Sequence, residues 1–135
     1  MPDVTLNWVA MLVALIVSMV IGSLWYSKPV FGKAWMGMIG KSEEDLKKGA
    51  GKAMGIMIVA TIIMIYVLSN IVDYATATTW MEGAQTGFWV WLGFVATVLV
   101  MSAGYEGRPM KLTAINAGFQ LVNLVVAGAI LAAWA

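Results

Sequence analysis

Four long apolar stretches divide the chain, at about 6–26, 54–72, 83–103 and 112–134, separated by one long polar connection (27–53) and two short ones. At 1.5 Å per helical residue, each is of the length needed to cross a hydrocarbon core of about 30 Å. The pattern predicts an all-α membrane protein: four transmembrane helices in an antiparallel bundle plus a short cytoplasmic or interfacial helical segment, forming a single integral membrane domain over 1–135. Asp3 and Asn7 precede the first stretch with no Lys or Arg beside them. A signal peptide needs a basic leader, so this stretch is read as a retained span.

The polar positions inside the spans carry most of the remaining information. Thr113, Asn116, Gln120 and Asn123 fall within about 80° of arc on one face of the fourth helix. Three carboxamides facing acyl chains would be unsatisfied, so this stripe is expected to meet protein or water. In the first span Ala10, Ala14, Ser18 and Gly22 recur every fourth residue, a ridge of small side chains that lets another helix backbone approach. Thr86, Gly93, Thr97 and Gly104 share a small, mildly polar face of the third span. That face is the expected partner of the amide stripe.

Within the long connection Pro29 should stop the first helix. Phe31, Trp35 and Met38 then lie on one helical face, as in a segment lying in the headgroup layer. Ser42 with Asp45 three residues on has the form of a capping box, and Lys47, Lys48 and Gly49 have the charge and the left-handed residue of a helix C-terminus. A short helix from Glu43 to Lys48 is therefore predicted. The connection as a whole reads as a solvated loop that fixes orientation, with anionic lipid as the alternative ligand.

Charge orients the bundle. All eight Lys and Arg lie in the first and third connections, which places those connections in the cytoplasm and both termini outside. Trp8, Tyr74, Trp80 and Trp134 would form an outer aromatic belt, and Trp25, Tyr26, Trp35 and Tyr105 an inner one. Tyr26-Ser27-Lys28-Pro29 and Tyr105-Glu106-Gly107-Arg108-Pro109 end spans one and three alike. This reads either as a duplicated hairpin or as independent use of residues favoured at the inner interface.

Composition removes several function classes. Hydrophobic residues make up 61% of the chain and charged ones 11%, which leaves no soluble domain with its own core. A net charge of +1 offers no basic face for nucleic acid. The chain has no Cys and no His, and no acidic or basic side chain sits deep in a span. No nucleophile and base are thereby placed together, so the protein is expected not to be an enzyme and to hold no cofactor or metal. The eleven methionines read as apolar filling rather than Cu(I) ligands. Glu106, Arg108 and Lys111 form a candidate charge cluster on the inner face, read either as a built cluster or as an exposed pair in a tight turn.

Asn7-Trp8, Gly22 to Trp25-Tyr26-Ser27, Phe31-Gly32-Lys33-Ala34-Trp35, Glu106-Gly107-Arg108-Pro109 and Asn116-Ala117-Gly118-Phe119 together carry a family resemblance over nearly the whole chain. It resembles the small four-span prokaryotic membrane proteins known as domain of unknown function 1761. One departure is Lys28, which intervenes between Ser27 and Pro29 where the family's Pro usually follows the Ser. The resemblance implies the fold and brings no activity, substrate or cofactor.

Two functional readings follow. In the first, the ridge and the stripe are helix contacts of a non-enzymatic packing module, a homo-oligomer or an accessory subunit of a larger membrane complex, with the lipid bilayer as its surroundings. In the second, the stripe lines a route for a neutral or weakly polar solute through a small oligomeric channel or carrier.

Overall fold

The last apolar stretch forms the helix around which the others close. In the structure, a computed structural model describing residues 6–134, α1 spans Trp8–Trp25, α2 Lys33–Ile39, α3 Glu43–Lys48 and α4 Ala50–Tyr74. They are followed by α5 (Trp80–Trp91), α6 (Thr97–Glu106) and α7 (Met110–Ala133), and no strand occurs among the described residues. A π-helical segment, Leu92–Ala96, joins α5 to α6 in one rod, Trp80–Glu106. The four long helices α1, α4, α5–α6 and α7 are each long and apolar enough to cross a membrane.

Helix boundaries follow local chemistry. The Asn7 side chain accepts from the Ala10 amide to start α1, and the Thr79 hydroxyl accepts from the Glu82 amide to start α5. Gly40 and Gly107 close α2 and α6 at φ +70°, where an L side chain would be strained. The amides after them, Lys41 and Arg108, bond back to Met36 and Ala103. Helix α3 has the expected bounds and a complete capping box: the Ser42 amide donates to Asp45 at 3.1 Å and the Asp45 amide to the Ser42 hydroxyl at 3.2 Å. Hydrogen bonds from the Ser42 backbone and hydroxyl hold the Asp45 carboxyl below its ordinary range.

Two boundaries differ from expectation. Gly49 has φ −97°, not a left-handed conformation, and α4 begins at Ala50, so Lys52 stands in a first helical turn instead of a loop. After α1, Pro29 sits inside a π-helical turn, Lys28–Gly32, that leads straight into α2. The turn closes through the Gly32 amide donating to the Ser27 carbonyl at 2.8 Å. A Cβ on Gly32 would press into the Tyr26–Ser27 backbone, so only glycine fits.

The closest helix pair is α5 against α7. A Cβ on Gly83 or Gly87 would collide with the carbonyls of Gly128 and Leu124, and one on Gly128 would collide with the Gly83 carbonyl. Backbone lies on backbone here, the arrangement that small residues four apart make possible in a membrane. Helix α1 runs antiparallel to α7, with the Asn7 side-chain N–H donating to the Trp134 carbonyl at one end (2.8 Å) and the Trp25 indole to the Ile115 carbonyl at the other (2.9 Å). Helix α4 joins α1 and α7 through Ile65, Leu68, Ser69 and Val72, all buried. Its first eight residues, 50–57, are all exposed, so for two turns no face of α4 is covered.

Candidate functional site

The site is built on α7, between α4 and the inner end of α1. Asn116, Gln120 and Asn123 share the α7 face turned toward these two elements. Asn116 accepts a 2.7 Å hydrogen bond from the Tyr26 hydroxyl, and both groups are half-buried. The Tyr26 ring is fixed between Trp35 of α2 (centroids 5.0 Å) and Phe119 of α7 (5.6 Å). Phe119 in turn rests over Gly22, close enough that a Cβ added there would touch its ring. The motif residues thus form two aromatic groups, Trp25 with Phe31 and Tyr26 with Trp35 and Phe119, and the second positions a phenol on an amide.

Asn123 is 4% exposed. Its side-chain N–H donates to the Met64 sulfur at 3.7 Å and to the Gln120 amide oxygen at 3.4 Å, both long contacts. Its oxygen Oδ1 has no hydrogen-bond partner among the described residues. Gln120 is half-buried, and its side-chain hydrogen bond among the described residues is the one it accepts from Asn123. Thr113 is buried, but its hydroxyl lies 3.5 Å from the Pro109 carbonyl of its own helix start and reaches no neighbouring helix. The stripe therefore splits: Thr113 turns back on α7, Asn116 is paired with α1, and Gln120 with Asn123 faces α4 with hydrogen-bonding capacity to spare.

The structure does not bring the third-span face to this stripe. Thr86 and Thr97 donate to carbonyls of their own helix, those of Glu82 and Gly93. Thr97, Gly93 and Gly104 are exposed, and a Cβ on either glycine would meet open space. The physical reason is that α5 commits Gly83 and Gly87 to α7, against Leu124 and Gly128, about 90° around α7 from the stripe. These glycines carried their own signal, a small-xxx-small spacing at 83/87 and again at 128/132.

The ridge on α1 points inward. Ala10, Ala14 and Ser18 are buried, and Gly22 sits under Phe119, so these residues are occupied by contacts within the chain. Around the turn between α6 and α7 Glu106 and Arg108 pair at 2.6 Å, while Lys111 forms no ion pair among the described residues and is exposed. A second indole, that of Trp91, donates to the Ala117 carbonyl at 2.8 Å. Trp25 and Trp91 thus grip α7 from two sides, at carbonyls two residues apart. Chemically the site offers hydroxyl and amide groups that donate and accept hydrogen bonds.

Residues 9–132 match the model of a family described as a protein of unknown function, DUF1761. No curated protein and no solved structure matches the chain.

Proposed function

The chain belongs to the DUF1761 family of proteins of unknown function, and we propose that it is a non-enzymatic helix-packing module of the plasma membrane, self-associating or docking on a larger complex. The observation that carries this reading is the pairing of Gln120 and Asn123, with unused hydrogen-bonding capacity, and an α4 whose residues 50–57 are uncovered. A helix from a second copy or another subunit placed beside α4 would cover that surface and offer a partner to the half-buried Gln120, which in turn holds the buried Asn123. Contacts of this kind are worth about 0.6–2 kcal/mol each in membranes, enough in combination to select a partner. The ridge on α1 drops out of the docking surface, because the chain itself covers it. The orientation that goes with this reading puts the end with Lys28, Lys47, Lys52 and Arg108 in the cytoplasm and the Asn7–Trp134 end outside.

The test is the size of the assembly in mild detergent. Gln120→Leu is expected to reduce it, and Asn116→Leu, Gln120→Leu and Asn123→Leu together to abolish it. Unchanged assembly of the triple variant would remove the proposal. A reporter fusion that places 41–48 outside would reverse the orientation.

The unpartnered Asn123 Oδ1 favours a second reading, since a buried acceptor left open is a place for water or a polar solute. In this reading several copies form a channel or carrier for a neutral or weakly polar solute. The chain has no cysteine, so single Cys substitutions at 116, 120 and 123 report cleanly. Reaction with aqueous thiol reagents is expected for the route, and protection of all three in a folded oligomer excludes it.

A further inference from the structure

Where α1 ends and α4 begins, the chain forms an open cavity of about 360 Å³ lined by both charged and apolar side chains. Such a volume lies within the range of small-molecule sites, about 300–1,000 Å³. Its lining carries three charged side chains, Lys28, Glu43 and Lys47, and an apolar wall from α2, Trp35 and Met36, with Leu46 on the α3 face that bears Glu43 and Lys47. Lys28 and Glu43 are joined at 2.7 Å, and among the described residues Lys47 forms no ion pair. The Lys28 bond and charge, with Lys47 adding to them, hold the Glu43 carboxyl below its ordinary range. Two cations and one anion leave the cavity with a surplus of one positive charge.

We propose that this cavity binds the headgroup of a monoanionic phosphodiester lipid of the glycerol-headgroup class, its phosphate on Lys47 and the free donors of Lys28. A single phosphodiester charge cancels the surplus. Glu43 then accepts from a headgroup hydroxyl and disfavours a second phosphate. The apolar wall and the two uncovered turns of α4 that rise from Ala50 give the acyl chains a surface to follow. A free phosphate ion would use the same charges but neither the apolar wall nor the helix. None of the three amides lines the cavity, so the headgroup contacts do not rest on the assembly proposed above, whereas the acyl chains and a docked helix would share residues 50–57 of α4.

Native mass spectrometry of the full chain in mild detergent tests it, with phosphatidylglycerol, phosphatidylethanolamine and phosphatidylcholine added in equal amounts. Phosphatidylglycerol should be retained about fivefold over the other two, and Lys47→Gln should lose about that factor. Lys111→Gln makes the same charge change on a connection outside the cavity and should retain the lipid as the unchanged chain does. Equal retention of the three lipids, or an equal loss in both variants, overturns the proposal. Displacement of the lipid by millimolar inorganic phosphate overturns the lipid assignment, leaving an ion site.

Discussion

The half of the bundle that holds Asn7 and Trp134, outer in the orientation proposed above, and the half that holds Trp25 and Asn116, inner in that orientation, are held by different means. In the outer half, α7 lies directly on the backbone of α5 through Gly83, Gly87 and Gly128, and α1 and α4 add Ala10, Ala14, Leu68 and Val72 to a dry core. In the inner half, α4 is bare over 50–57, and the contacts between α1 and α7 are made by long side chains: Trp25 on Ile115, Tyr26 on Asn116 and Phe119 on Gly22. Without a hydrophobic force between helices in lipid, close approach must come from small residues or from polar groups. The outer half uses the first device and the inner half mostly the second. The lesson is that one helix can be tightly packed at one end and held by a few directional bonds at the other.

The strongest way to break this contrast is to add a methyl group where backbones touch. Gly83→Ala, Gly87→Ala or Gly128→Ala should each lower stability by about 2–3 kcal/mol, the cost of overpacking, in unfolding titrations in bicelles. An unchanged midpoint would refute the close α5–α7 approach. Tyr26→Phe leaves the fold but removes the 2.7 Å bond to Asn116, and should cost about 1–2 kcal/mol, with the loss confined to the inner half in hydrogen exchange. Gly55→Ala, by contrast, enters open space on bare α4 and should raise stability by about 0.5–1 kcal/mol through helix propensity alone.

The smallest effect concerns acid. The Asp45 and Glu43 carboxyls titrate below their ordinary values in the folded chain, so their stabilising contribution is complete above those ordinary values. It is lost as pH falls through the lowered folded values. Side-chain NMR titration should find both midpoints depressed. Ser42→Ala should return Asp45 toward its ordinary value while leaving Glu43 low.

What was legible in the sequence was local. The helix Glu43–Lys48 could be read from Ser42, Asp45 and two lysines because every bond that defines its ends spans a few residues. The four apolar rods were legible from length, but their ends were not: α4 extends to Ala50 because the single residue Gly49 suffices to leave α3. The face of α7 bearing the amides was legible from spacing, whereas its partner was not. Tyr26 and Asn116 are ninety residues apart in sequence. The face of the third span failed for two further reasons. Gly83 and Gly87 compete for the same neighbour as Thr86, and the π-helical turn at Leu92–Ala96 adds a residue to a turn, so a wheel drawn at a fixed angle loses register before Thr97.

The central place of α7 bears on how the molecule is made. Translation delivers α1, α4 and the α5–α6 rod to the bilayer before the helix they close around has left the ribosome. Until then Gly83 and Gly87 have no backbone to rest on, and the Trp25 and Trp91 indoles have no carbonyl to grip. The early segments meet one another mainly where α4 touches α1 and α5, and the arrival of α7 is the event that closes them into one bundle.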